Sequence, residues 1–386
     1  WRNICCIGIG SISYFNVFKR KFVLIGMVII LPFWLLLKCI KNVRRNFESK
    51  RHYDYVITIV SPTRQFVNKV QKVDFLVDGN CIRKDQVIFV ARKRIEEDEK
   101  KYFIENGLNF VDDTAGFVSL RTIVKIFPAY CALLFSSLKE DSLMGGTSLK
   151  GIYFYAIWSS FVQHIIIKKF ITYCDYELKS VFRNIILEQT RCTTYLYMDS
   201  SNFGCFAASK GAPAEFRHHY FGFLYYDWFV SWNDKAFDYF QRSFCEFKQH
   251  ANLGCFWAEH VRLIQDGTLM VPHIKNHLYA HGYRDEMKLV SIFDSTYHDH
   301  SCTTYNDGIN YLRGLLDLMD RLPNIFFILK EKKHRNYHET MTIKHKEINE
   351  LYKKFEDHPR CYLPREKENS SAMIAFSDLT ISFPFS

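Results

Sequence analysis

The sequence predicts an α/β protein with parallel sheets, folded as two domains behind a membrane-associated N-terminal helix. Three observations predict it. Short apolar runs of strand length alternate with amphipathic or charged helical stretches, the pattern of parallel sheets covered by helices. The alternation occurs twice, on either side of a crossing at residues 271–286. Several of the runs end in hydroxyl-bearing or acidic residues, and open α/β sheets bind ligands just past the carboxyl ends of their strands.

The chain has 386 residues, enough for two cores. Hydrophobic residues make up 48% and charged residues 24%, in keeping with a globular protein. The aromatic share of 17% is high, and fits either wide aromatic cores or an AT-rich genome. A net charge of +10 suits anionic partners: membrane lipid, nucleotide phosphates or nucleic acid. The twelve cysteines are scattered, with only Cys5 and Cys6 adjacent and no CxxC pair. That disfavours a zinc ribbon or a disulfide framework and favours a reducing compartment.

The first element is the uncharged stretch 22–37 (FVLIGMVIILPFWLLL), with Lys19, Arg20 and Lys21 before it and Lys38, Lys41, Arg44 and Arg45 after it. A full span needs about 20 apolar residues, so this one is short. Three placements fit: an in-plane or re-entrant anchor on a cytoplasmic leaflet, which is preferred, a full span, or a buried core helix. Cationic flanks would contact anionic lipid in the first case. No small-residue cleavage site follows, so it does not read as a signal peptide.

In the first α/β region, residues 55–61 (YVITIVS) read as a buried strand broken by Ser-Pro, and residues 73–77, 87–91 and 108–111 as further strands. Residues 94–106 form a charged helix between them. Residues 118–138 and 152–173 read as long apolar helices packed on a sheet. Residues 193–198 (TTYLYM) and 228–232 (WFVSW) are strands, and residues 255–264 a helix. In the second region, strands are predicted at 289–293 (LVSIF), 324–329 (NIFFIL) and 360–363, with helices at 311–322 and 345–355. Ser370 caps a short final helix to Ser377, and residues 379–383 form a last apolar strand before Pro384, Phe385 and Ser386. The chain begins at Trp1 and stops directly after that strand, so a piece of a longer protein is expected, cut inside its second domain. The domains are drawn as 1–50, 51–270 and 271–386.

Two successive α/β units with polar strand ends point to a bilobal sugar-nucleotide enzyme. Neither GxGxxG nor GxxxxGK[ST] is present, against a dinucleotide or P-loop site. Asp112-Asp113 is the nearest approach to a cation-holding DxD and reads as a solvated turn. Asp294, Ser295 and Thr296 follow one strand of the second region and Ser386 another. Hydroxyls and backbone N–H groups there can cradle phosphates, or can simply cap helices. Lys330, Lys332 and Lys333 follow the neighbouring strand and can neutralise a leaving diphosphate, or form a solvated basic loop. His298 with His300, and the i, i+4 series His273, His277 and His281, lack the further ligands of a metal site, and none is assigned. Glu188, Asp199 and His219 are candidates for a general base in the first domain, each with a structural role as the alternative. No GxSxG or catalytic cysteine context occurs.

Six segments then stand out in order: TTYLYMDSSNFGCF (193–206), YYDWFVSWN (225–233), GCFWAEHV (254–261), LVSIFDST (289–296), FFILKEKK (326–333) and SDLTISFPFS (377–386). With these the chain resembles the bacterial polysaccharide-biosynthesis proteins named for a Pro-Phe-Thr-Ser motif, over about 190 residues from Thr193 to the end. The resemblance implies a GT-B-like fold of two Rossmann-like domains facing a cleft. It also implies transfer of a sugar from a nucleotide-sugar donor to a lipid-linked or growing glycan acceptor, in surface polysaccharide assembly at the cytoplasmic face of the bacterial inner membrane. Pro384, Phe385 and Ser386 occupy the motif, with Ser386 where the family has Thr. The helix glutamate that holds the donor in GT-B enzymes would lie beyond Ser386, leaving the donor site incomplete. No cofactor is expected beyond the nucleotide-sugar substrate, and no metal. The alternatives are a non-catalytic scaffold of the same fold and a sugar-nucleotide epimerase, the latter disfavoured by the apolar N-terminal stretch. Nucleic acid is not expected as a partner, because the basic residues cluster around that stretch instead of forming a stripe interleaved with aromatics.

Overall fold

A computed structural model describes residues 30, 32–37, 39–40, 51–59, 82–91, 95, 97–112, 114–139, 142–173, 175, 179–198, 224–241, 245–255, 258–268, 272–295, 297, 304–331, 343–364 and 370–382. The chain divides into two compact units, with the change at Gly254 and Cys255. That is earlier in the chain than the boundary at 270 read from the sequence. The strand expected at 73–77 lies outside the described residues.

The first unit holds seven parallel strands: β1 (Arg51–Ile59), β2 (Val87–Ala91), β3 (Asn109–Val111), β4 (Ile165–Tyr173), β5 (Thr193–Tyr197), β6 (Tyr225–Ser231) and β7 (Glu246–Asn252). Their order is β3-β2-β1-β4-β5-β6-β7. Helices α1 (Glu97–Glu105), α2 (Leu120–Lys139), α3 (Ser142–His164), α4 (Lys179–Gln189) and α5 (Asp234–Gln241) lie between the strands in sequence. Every residue of β2 is buried, as expected of a strand covered on both faces. Val56 of β1, Ile88 and Val90 of β2, Phe161 of α3, Phe170 of β4 and Leu187 of α4 meet in one core cluster. Each such side chain stabilises by roughly 1.5–3 kcal/mol over its exposed state.

The structure corrects one long element. Residues 152–173 are not a single helix: α3 ends at His164 and β4 begins at Ile165. The run Ile165-Ile166-Ile167 is β-branched throughout, which favours a pleated surface over a helix. Ile165 and Ile167 are buried with Ile166 exposed between them. β4 lies between β1 and β5, and Lys168 reaches across to Asp54 of β1 at 2.7 Å. β7 (EFKQHAN) was not expected as a strand. It is the edge of the sheet, where polar residues are tolerated.

The described part of the expected membrane segment is helical. Leu35 and Cys39 are buried, Leu35 in the first unit's core, and the Trp34 ring lies 5.4 Å from that of Tyr153 in α3. Among the described residues no helix is long and apolar enough to cross a membrane.

The second unit has four parallel strands, β8 (Lys288–Phe293), β9 (Ile325–Lys330), β10 (Cys361–Tyr362) and β11 (Leu379–Ser382), in the order β10-β9-β8-β11. Its helices are α6 (Ala258–Gln265), α7 (Pro272–Ala280), α8 (Tyr305–Arg321), α9 (Ile343–Glu356) and α10 (Ser370–Phe376). The apolar run of β9 splits by alternation. Phe327 and Leu329 join one core cluster with residues of α8 and α9, while Phe326 and Ile328 join another with residues of α6, α7 and α10. α8 starts at Tyr305, six residues before the expected Tyr311, because Thr304 and Asp307 form a capping box. Asp378 sets the register of β11: its carboxylate accepts from the Leu289 backbone N–H and from Lys288, both at 2.8 Å.

Candidate functional site

In both sheets the strand order reverses at one point. The second unit runs from β8 to β9 and β10 on one side and places β11 on the other. A reversal of this kind is where doubly wound sheets take ligands. Phe293 pairs with Lys330 on one side and with Ser382 on the other. The carboxyl ends of three neighbouring strands thus bring together Asp294 and Ser295, Lys330, and the end of β11. Thr296, Lys332, Pro384, Phe385 and Ser386 lie outside the described residues.

Asp294 is buried, and its carboxylate accepts from the hydroxyls of Tyr297 and Tyr352, as well as from the Ser295 backbone N–H at 2.7 Å. Both tyrosines belong to the core cluster beneath α8 and α9. Burial, and next the Asp294 charge, push the Tyr297 hydroxyl far above the ordinary phenol range. The same two causes push Tyr311 up to about 12. Asp294 was read as a donor-binding residue. In the structure its bonds fasten the start of the loop after β8 to Tyr297 and to Tyr352 of α9. Ser295 is also buried, and Lys330 is half-buried, its carbonyl accepting from the Asp294 N–H at 3.0 Å.

In the first unit the reversal lies between β1 and β4. A buried polar chain occupies their carboxyl ends and escaped the sequence reading. Thr58 of β1 donates to Thr172 of β4 at 2.6 Å, and Thr172 to Asp175 at 3.4 Å. Asp175 also takes Ser180 and an ion pair with Arg183, both partners almost fully buried. Arg183 donates to the Tyr226 hydroxyl at 2.9 Å, and its guanidinium lies 4.3 Å from the Phe170 ring centre. Burial alone would lower the Arg183 pKa; Asp175 and Tyr226 outweigh it and the net shift is upward. The signal was Asp175 two residues past the end of β4, hidden while that stretch read as helix.

Glu188 sits at the opposite end of the sheet. It is exposed near the end of α4, takes Lys248 at 2.6 Å, and accepts from Tyr225, the first residue of β6. Lys248 also reaches Asp227 at 2.8 Å. The bonds from Lys248 and Tyr225 hold the Glu188 carboxyl below its ordinary range, a poor match to a general base working near neutrality. Asp199 and His219 lie outside the described residues.

A histidine that the sequence reading passed over lies at the carboxyl ends of β6 and β7. The Ser231 hydroxyl lies 3.0 Å from the Asn233 carbonyl and 2.7 Å from His250 Nε2. Burial lowers the His250 pKa, which favours the neutral ring. The ring stacks on Phe237 at 3.8 Å. His277 contacts the Tyr362 hydroxyl and His281 the His277 carbonyl, and Asp112 pairs with Lys100 at 3.4 Å. Among the described residues no group of three His, Cys, Asp or Glu side chains is placed to hold a metal ion.

The chain is similar to several solved structures. A UDP-GlcNAc 2-epimerase from Neisseria meningitidis, bound to UDP-GlcNAc, shares 11% identity over 85% of this chain and 77% of its own, with a TM-score of 0.46. MnaA from S. aureus, in complex with UDP, shares 10% over 85% and 73%, with a TM-score of 0.48. An α,α-trehalose-phosphate synthase (UDP-forming) from Burkholderia vietnamiensis shares 9% over 85% and 77%, with a TM-score of 0.39. No curated protein gives a significant match. Residues 123–386 match the family described as polysaccharide biosynthesis PFTS motif protein, well over half of the sequence, and the chain belongs to that family.

Proposed function

We propose that the chain is a metal-independent glycosyltransferase of surface polysaccharide assembly. It moves a sugar from a nucleotide donor to a lipid-linked or growing glycan acceptor at the cytoplasmic leaflet of a bacterial inner membrane. Family membership supports the pathway. One observation carries the donor assignment: the loop after β8, Lys330 and the end of β11 lie on adjacent strands at the reversal of the second sheet. In this reading Ser295, Thr296 and the Pro384-Phe385-Ser386 end contact the donor phosphates, and the Lys330 and Lys332 ammonium groups neutralise the leaving nucleotide. Asp294 holds the loop in place through its tyrosines. Asp199, His219 and His250 are the candidates for the group that takes the acceptor proton.

The test is a titration of the full chain with UDP, GDP and dTDP. Lys330→Ala should weaken binding of the preferred nucleotide by about tenfold, near the value of a hydrogen bond to a charged group. Unchanged affinity would remove Lys330 from the site. A second reading, a non-catalytic scaffold, draws on the saturation of Asp294 and Glu188 by tyrosine and lysine partners. It predicts nucleotide binding without sugar transfer.

A further inference from the structure

Two helical segments of the first unit each leave apolar side chains exposed. In the segment 30–40, Ile30, Phe33, Leu37 and Ile40 are 57–66% exposed. Their spacing of three, four and three residues puts them on one face. The other face is tied down, with Leu35 and Cys39 buried and Trp34 against Tyr153. In α2, Leu120, Val124 and Phe127 are 55–65% exposed, again at helical spacing, while Ile126 points into the same core cluster that receives Leu35. Solvent-facing apolar groups of this size on two helices of one core mark an interaction surface.

Charge identifies the occupant. Residues 1–50 contain nine Lys and Arg against Glu48 alone, so they carry most of the chain's net charge of +10. α2 holds Arg121 and Lys125 beside its stripe, both exposed, and no Asp or Glu. Apolar stripes flanked by cations match an anionic lipid surface. A helix crossing the bilayer alone would meet lipid all round, whereas Leu35 and Cys39 bind this one to the globular unit.

We infer that the segment 30–40 and α2 form one docking surface that lies in the plane of an anionic leaflet, with α2 a second membrane element. The inference rests on the membrane part of the proposed function and adds the surface. Lipid and nucleotide binding are measured separately, so either can fail alone.

The experiment is co-sedimentation of the full chain with vesicles. Vesicles of equimolar phosphatidylglycerol and phosphatidylcholine should bind it about tenfold more tightly than phosphatidylcholine alone, since each basic residue near the surface adds on the order of 1 kcal/mol. The double change Val124→Asp with Phe127→Asp should weaken binding to the mixed vesicles by about tenfold or more, with an unchanged circular dichroism spectrum. If that variant loses its fold, Arg121→Glu with Lys125→Glu replaces it and should abolish the preference for the anionic lipid. Wild-type vesicle affinity in a folded variant overturns the inference. So does a wild-type protein that ignores vesicles, including one that sediments as a dimer dissociated by the α2 changes, which would identify a second copy as the occupant.

Discussion

Asp175 and Asp294 meet the same physical problem with different partners. Each is a buried carboxylate just past a central strand, and an isolated charge there is costly. Asp175 is matched by Arg183 and by hydroxyls, Asp294 by two phenols and a backbone N–H. Removing one member of a buried pair leaves the other uncompensated. Arg183→Met should therefore destabilise the first unit by about 3–5 kcal/mol in urea unfolding. The double change with Asp175→Asn should recover part of that loss, through a coupling of roughly 0.5–3 kcal/mol. Strict additivity of the two would show that the pair contributes nothing.

Three histidines contribute to the response to acid. His260 in α6 is buried, and burial, opposed by Glu259, lowers its pKa. His250 and His358 shift the same way, also through burial. In each case the unfolded chain takes up the proton first. Their contribution to stability is complete above the unfolded value of about 6.5 and falls as the pH drops from there toward the folded pKa. Within that window the slope approaches roughly 1.4 kcal/mol per pH unit for each histidine. His260→Gln should flatten the decline between neutrality and the carboxylate range. An unchanged slope would assign the acid sensitivity to other groups.

At the scale of elements, two glycines mark close approaches of unequal stiffness. A Cβ on Gly308 of α8 would come within 2.6 Å of the Tyr297 ring, which is held in place by its hydroxyl bond to Asp294. A Cβ on Gly151 of α3 would meet one side of the Phe182 ring, which is half-buried and has no hydroxyl to anchor it. Alanine is favoured over glycine in a helix by roughly 0.5–1 kcal/mol. Gly308→Ala should nevertheless destabilise by about 1–3 kcal/mol through overpacking. Gly151→Ala should be close to neutral, and thermal melts of the two variants would separate the cases. The legibility of the elements follows the same local physics. β8, β9 and β11 were readable because each is an apolar run broken by a polar strand end. β4 was not, because it continues the apolar stretch of α3 without a break and only its β-branched character distinguishes it. β7 was hidden by the polar residues its edge position allows. Asp175 could not be recognised as a strand-end residue until β4 was a strand. The neighbouring placement of Asp294, Lys330 and the final strand could be guessed from the repeated strand-end pattern. The tyrosine partners of Asp294 could not, because Tyr352 is 58 residues away in sequence.

At the scale of the whole molecule, each unit has its own sheet and its own core clusters, the first around β1, β2 and β4 and the second on both faces of β8 and β9. A chain built this way departs from a single all-or-none transition. Two unfolding transitions are expected in calorimetry, and the substitutions above assign them. Arg183→Met acts on a bond between α4 and the end of β4, so it should lower one transition and leave the other in place. Gly308→Ala acts between α8 and the Tyr297 ring, so it should lower the other alone. A loss of about 3 kcal/mol should move the affected midpoint by roughly 6–12 °C for a unit of 150–250 residues, and by more for a smaller one. If either variant shifts both transitions together, the units fold as one cooperative block. Nucleotide gives an independent check. A ligand held at the carboxyl ends of β8, β9 and β11 should raise only the transition that Gly308→Ala lowers, by a free energy that grows as RT ln(1 + [L]/Kd).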